Sequence, residues 1–313
     1  MMAMIWGMAI VLISLLSAIA FPLTTYVMTL STFGIAHVAI ELRYIDSRFH
    51  QRLGGNIEPR LLWLVLSIAI LRLCGIFGWM DGRLAQILEL SIGLGLVMLA
   101  THHLSRQSWR QGLIGVAVGW ILGMGILVDS IATSVIFAIF HNLTPIGFIL
   151  ERQGLTSRRV LWSCATIFGL LPLLILLYQS FPLPHLPIEN NLSYLGAFVA
   201  PAWQQSPLAY PLFSAVAFLQ CMHYGVVIGL FSQWTPKQSP TLIPWFLNTY
   251  FYLVLVGISI CLFIFFQHSF ILTRAFYGVV ASIHAWIEIP LLLLSLQLIN
   301  QQSESIGSKV RSE

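Results

Sequence analysis

The sequence predicts an all-α fold, a polytopic membrane helix bundle of about ten transmembrane helices. Three observations predict it. First, the 313 residues are 58% hydrophobic and only 8% charged, where a soluble domain carries roughly 25% charged residues. The mean hydropathy is +0.87, more apolar surface than a chain of this length could hide from water. Second, apolar runs of about 20 residues, the length that crosses a bilayer as a helix, recur from end to end. Third, the basic residues fall in alternate breaks between those runs, as they do where charge sets membrane orientation.

The runs read in order as helices near 4–20, 23–43, 61–79, 85–104, 111–127, 129–150, 159–180, 209–232, 243–267 and 271–299. Each break carries a turn or charge signal: Pro22, Arg43 to Arg60, Asp81-Gly82-Arg83, Arg106 to Arg110, Arg152 to Arg159, and Pro236 to Pro240. The first run ends in Ala18-Ile19-Ala20, which resembles a signal-peptidase site, but no Lys or Arg precedes it. A retained first helix is the expectation, since a signal peptide normally has a positive n-region. The segment from Phe181 to Pro207 is the longest loop and the one stretch able to form a lid or plug. Residues 1–300 are expected to form a single transmembrane domain, with 301–313 a polar cytoplasmic tail.

Arg43, Arg48, Arg52, Arg60, Arg106, Arg110, Arg152, Arg158, Arg159, Lys237, Lys309 and Arg311 lie in the loops after even-numbered helices or in the tail, twelve of the fifteen Lys and Arg. Arg83 and Arg274 lie on the other side, and Arg72 inside helix three. The positive-inside rule then places both termini in the cytoplasm, which an even helix count permits. The net charge of +4 forms no basic stripe interleaved with exposed aromatics, so nucleic acid is not an expected partner. Cys74, Cys164, Cys221 and Cys261 all sit in apolar runs with no CxxC pair, which supports neither a disulfide framework nor a zinc knuckle.

Polar residues inside a membrane are costly and are functional candidates by default, and here the histidines stand out. Each even-numbered run has at least one: His37, His102 with His103, His141, His223 and His284. His50, His185 and His268 fall in loops or at a helix edge. Even helices run in one direction, and four of these histidines lie 13 to 14 residues past their helix start, about 20 Å deep at 1.5 Å per residue. His102 and His103 lie a turn further on, and at most one of the two can face the common point. Imidazoles from five helices at one depth make a metal site, because neutral imidazole is the commonest metal ligand.

Two of these histidines have a carboxylate one turn later, in His37-Val-Ala-Ile-Glu41 and His284-Ala-Trp-Ile-Glu288. Spacing i, i+4 puts both side chains on one helix face, where the carboxylate can ligate a metal or hold a ligating His through its second ring nitrogen. Glu41 lies near a helix end, where water could solvate it; Glu288 is followed by eleven residues of mostly apolar helix. His141 precedes Pro145, whose missing N–H leaves the His141 carbonyl without a helical partner and kinks the helix. Tyr224, next to His223, is a candidate partner for it. Glu41, Glu288 and Tyr224 are thus the candidate catalytic residues, and His37, His102, His103, His141, His223 and His284 the candidate metal ligands. Glu89 and Asp129 sit near helix starts, where interfacial solvation is expected; Arg72, deeper, can snorkel or pair with Glu89.

His-rich sites with carboxylates suit non-haem iron, acting as an oxygenase or related oxidoreductase on a lipid-soluble isoprenoid, carotenoid or acyl substrate drawn from the bilayer. The alternatives are a b-type haem carrier with two axial histidines and a non-enzymatic transporter or assembly factor. No P-loop, dinucleotide-binding, nucleophile-elbow or HExxH motif occurs. In His37 with Glu41, in Phe140-His141 and in His284 with Glu288, the chain resembles the Brp/Blh family of bacterial β-carotene central-cleavage dioxygenases, with Glu standing where that family has Asp. The resemblance covers about a tenth of the chain. It implies a polytopic fold, iron held by membrane histidines, and dioxygen-dependent carotenoid cleavage.

Overall fold

The computed structural model describes residues 2–53, 57–106, 108–153, 157–179, 192–235, 241–246 and 248–312. Among them every regular element is helical. In chain order these are α1 (Met2–Ala20), α2 (Pro22–Leu53), α3 (Ile57–Ile76), α4 (Gly82–Ser105), α5 (Trp109–Val128), α6 (Ser130–His141), α7 (Thr144–Gln153), α8 (Arg158–Ala165), α9 (Leu171–Gln179), α10 (Ala209–Val226), α11 (Ser232–Trp234), α12 (Asn248–His268) and α13 (Phe270–Ser312). Single π-helical turns at Thr166–Leu170 and Val227–Phe231 join α8 to α9 and α10 to α11. Nine spans among the described residues are long and apolar enough to cross a membrane, and α1 adds a shorter apolar helix.

The breaks follow local chemistry. Asp81 caps α4 by accepting from the amide of Leu84 at 3.0 Å, and Asp129 caps α6 by accepting from Ile131 and Ala132. Side-chain capping of this kind satisfies amides that a helix start leaves without intrahelical partners. The expected kink before Pro145 is a complete break: α6 stops at His141 and α7 starts at Thr144. Pro145 cannot return a hydrogen bond to the His141 carbonyl, and the chain turns instead through Asn142 and Leu143, whose amides bond to Ile139 and Phe140. Other boundaries differ from expectation. The second helix continues to Leu53, because nothing between Arg43 and Leu53 breaks it, and this places His50 on the helix instead of in a loop. The ninth span begins at Asn248, after Pro244, and the last helix runs through Ser312 without a stop at residue 299. His185 lies outside the described residues.

The chain divides into two compact units. The first contains Met1–Gln51, Ser134–Leu143 and Ser163–Tyr277. Its centre is α10, buried from Phe213 to Tyr224 on nearly every face. Such a helix has no polar side because it is enclosed by others. Helix α1 packs on it, with Ala18 fully buried beneath Ser214, whose hydroxyl donates to the Ala18 carbonyl. Gln220 donates to Thr29 Oγ1 of α2 at 2.8 Å, which fixes the register of α10 against α2. Leu195 and the residues from Ala197 to Ala200 pack inward: Phe198 meets the rings of Tyr26 and Phe213 edge-on or tilted.

The second unit contains Arg52–Thr133, Thr144–Trp162 and Gly278–Glu313. Here α3, α4 and α5 pack in sequence. Glu89 corrects the expectation of interfacial solvation. It is buried, and one carboxylate oxygen accepts from Arg72 and from Trp286 Nε1, both at 2.8 Å. A buried carboxylate is tolerated when paired and hydrogen-bonded. Gly93, one turn along α4, makes room for the Trp286 ring; a Cβ there would lie 2.0 Å from it.

Candidate metal centre

Within the first unit, three of the sequence-predicted ligands converge. His37 comes from α2, His141 from the last residue of α6, and His223 from α10. Each offers a ring nitrogen, and the three nitrogens lie within 4.8 Å of one another. The His223 ring is 5.3 Å from that of His37 and 4.7 Å from that of His141, centroid to centroid. His37 and His223 are buried, at 1% and 0% exposure, and His141 is half-buried. Local sequence explains the convergence. The Pro145 break ends α6 at His141, and the Gln220–Thr29 bond lies one turn before His223.

Glu41 lies against one of these imidazoles, that of His223, and its surroundings differ from those expected. Its side chain is 0% exposed, where its position near a helix end suggested contact with water. One carboxylate oxygen lies 3.3 Å from Nε2 of His223. That separation is short, but its geometry is not that of a hydrogen bond. Both oxygens of Glu41 and both ring nitrogens of His223 have no hydrogen-bond partner among the described residues. An ionised carboxylate in an apolar interior costs several kcal/mol unless a cation or donors compensate it. Beyond Glu41, Tyr44 and Phe231 stack at 4.5 Å, both fully buried, and close that end with aromatic surface.

Tyr224 serves a different neighbour from the one its position suggested. Its ring stacks on His37 at 3.9 Å and 21°, while it meets its sequence neighbour His223 only edge-on at 5.9 Å. The Tyr224 and Tyr277 hydroxyls are hydrogen-bonded to one another, and Tyr277 donates to the carbonyl of Gly34 at 3.4 Å. A phenol pair therefore clamps the imidazole of His37 in one orientation. Tyr277 escaped the sequence reading because nothing in a lone membrane tyrosine marks it. The available signal was Gly34, one turn before His37, where a Cβ would come within 3.1 Å of the Tyr277 ring.

The remaining candidates lie in the second unit. His284 and Glu288 share a face of α13, with a carboxylate oxygen 4.0 Å from the His284 Nε2, and both are buried, at 1% and 0% exposure. His102 is exposed and His103 half-buried on α4, and neither enters a group of three or more ligand-capable side chains among the described residues. They lie at the last turn of α4, where the helix exposes one flank, so depth alone did not decide which way they face.

Three imidazoles at this spacing can close on one cation by small movements, since metal–nitrogen bonds of about 2 Å place ligand atoms at most about 4 Å apart, and the Glu41 carboxylate lies against one of the three. No family model matches the chain, and no curated protein or solved structure matches it either.

Proposed function

We propose that the chain is a membrane metalloenzyme of the non-haem iron type, with His37, His141, His223 and Glu41 holding the metal. The observation that carries this reading is the pair Glu41 and His223. Two fully buried side chains bring four polar atoms to one place with no hydrogen-bond partner among the described residues. Buried polar groups are normally satisfied, and a cation would satisfy the Glu41 carboxylate and one ring nitrogen of His223 together. Histidine nitrogens with a carboxylate oxygen are the donor set of non-haem iron sites, which leave positions open for dioxygen. When bound, the iron supplies the oxidative chemistry on a lipid-soluble substrate such as an isoprenoid, carotenoid or acyl chain.

The chain's own residues supply the rest. Tyr224 orients His37. The Tyr44–Phe231 stack keeps water from the carboxylate. Pro145 sets where His141 ends its helix. The Brp/Blh resemblance adds carotenoid cleavage as the reaction. A third imidazole and a carboxylate beside His37 and His223 favour a non-haem ion over haem b, whose macrocycle needs the space around two axial ligands. The loop charges place both termini on the cytoplasmic side in this proposal.

Elemental analysis and a visible spectrum of protein purified in mild detergent without chelator test the reading. About one iron per chain and no Soret band are expected. Metal below about one atom per ten chains would overturn it, because a four-ligand site retains its ion through gentle purification. An intense Soret band would replace it with the haem reading.

A further inference from the structure

One end of the second unit gathers positive charge. Helices α3 and α4 pack antiparallel, with Gly75 against Ala85 and Arg72 on Glu89, so the start of α3 lies near the end of α4. Helices α4 and α5 do the same, with Gly112 against Ser105 and Gly115 against Thr101. Helix α7 meets α13 at Gly147 and Leu292, next to the Leu293 that packs with Leu104 of α4. The starts of α3, α5 and α8 and the ends of α4 and α7 therefore share one end of the unit. Three Arg–Trp pairs recur there at one spacing: Arg60-Leu-Leu-Trp63, Arg106-Gln-Ser-Trp109 and Arg159-Val-Leu-Trp162. All three arginines and all three tryptophans are exposed, and Arg110, Arg152 and Arg158 are exposed beside them. The stretches 57–63, 104–112 and 151–162 hold six arginines against two glutamates, Glu58 and Glu151. Whatever ion pairs form among them, an excess of four positive charges remains.

The helices add to this charge and do not offset it. Arg110 lies in the first turn of α5, and Arg158 and Arg159 in that of α8. The aligned peptide dipoles already place partial positive charge there, and an acidic residue is the favoured neighbour. Neither helix has an acidic residue in its first turn, and Ser108 makes no side-chain bond to the α5 amides. The indoles decide which anion fits. In α3 and α8 the Trp stands one turn further into the span than its Arg, about 4.5 Å at the helix rise. Exposed tryptophans on membrane helices sit at the headgroup level, the ring against acyl chains and the N–H toward water. A guanidinium one turn outside such an indole lies at the level of the lipid phosphates, where basic residues attract anionic lipid. A soluble anion would gain nothing from the three indoles, whereas a phospholipid meets indole and guanidinium together. The other end of the unit shows the contrast: Trp79 is exposed there too, but Arg83 is outnumbered by Asp81 and Asp129.

We propose that this end of the second unit is a binding surface for anionic phospholipids, their phosphates on the arginines and the upper ends of their acyl chains on Trp63, Trp109 and Trp162. The proposal rests on the second unit alone and does not require the metal reading.

The full chain reconstituted in phosphatidylcholine vesicles tests it, with trace nitroxide-labelled phosphatidylglycerol or phosphatidylcholine reporting the lipid held at the protein surface. The labelled phosphatidylglycerol is expected to associate about fivefold more strongly than the labelled phosphatidylcholine. The ratio should fall toward one in about 1 M NaCl, where screening acts within about 3 Å. Arg106→Gln with Arg110→Gln, and separately Arg158→Gln with Arg159→Gln, should each lower the ratio about twofold. The two pairs sit on different helices at exposed positions, so either one suffices if the other folds poorly. Arg83→Gln, at the opposite end of the unit, should leave the ratio unchanged. Equal association of the two lipids, a ratio unmoved by both double substitutions, or an equal fall in Arg83→Gln would each overturn the assignment. So would inorganic phosphate that abolishes the preference at an ionic strength where NaCl leaves it intact, since the surface would then take a soluble anion.

Discussion

A carboxylate oxygen of Glu41 lies 3.3 Å from Nε2 of His223, and neither side chain has any exposed surface. The two residues are 182 positions apart, on α2 and α10, and the register that joins them is held by the Gln220–Thr29 hydrogen bond. Without a cation between or beside them, the arrangement would leave a charge and four polar atoms in an apolar interior. Glu41→Gln should therefore lower metal affinity by at least 10- to 100-fold, the range seen when a ligand's supporting group is lost. Glu41→Leu should abolish metal binding and yet fold, since it removes the buried charge together with its partner cation. Titration of the apo-protein with Fe(II), followed by elemental analysis, checks both. Full iron content in Glu41→Leu would remove Glu41 from the site.

Chelation should destabilise the protein. An ion that binds only the folded state at a hundredfold excess over its Kd adds about 2.7 kcal/mol, which corresponds to a fall in Tm of roughly 5 °C or more on removal. A thermal melt in detergent, with and without chelator and after re-addition of Fe(II), reads the effect. Identical melts in all three conditions would count against a resident metal.

The histidines divide into two sets that substitution should separate. His37→Ala, His141→Ala and His223→Ala should each lose the metal, because their nitrogens converge within 4.8 Å. His102→Ala and His103→Ala should retain it at the wild-type level, since these residues lie on the partly exposed last turn of α4. Loss of metal in the second pair would place the centre elsewhere.

Pro145→Ala restores an amide that can bond to the His141 carbonyl, so α6 and α7 can join into one helix. His141 would then swing with the rejoined helix, and metal content should fall, with a loss of thermal stability no larger than the one chelation causes. An unchanged metal content would show that the break does not position His141.

Gly93→Ala tests packing in the second unit without touching the metal ligands. The added methyl meets the Trp286 ring at 2.0 Å, and overpacking of a close-fitted contact costs about 1–3 kcal/mol. The displaced indole would also lose its bond to Glu89. A fall in Tm of several degrees with unchanged metal content is expected; a neutral result would mean that Trp286 repacks freely.

What the sequence determined by itself was the order of the helices along the chain and where most of them break. Runs of apolar residues, Asp81 and Asp129 at helix starts, and Pro145 in mid-span act through neighbours a few residues away, so their effects could be read directly. The same locality revealed His37 with Glu41 and His284 with Glu288 as i, i+4 pairs. Tertiary structure decided which faces turn inward, and helix-period reasoning could not supply that, because these helices are apolar on almost every side. Hence Glu41 proved buried against His223 although its position suggested water, and Glu89, already offered by the sequence as a partner for Arg72, proved buried and bonded to Trp286 as well. His102 turned outward, and Tyr224 stacked on His37. Depth along a helix follows from counting residues. The direction of a side chain around a helix follows from which neighbour fills the space beside it, and that neighbour is usually more than a hundred residues away.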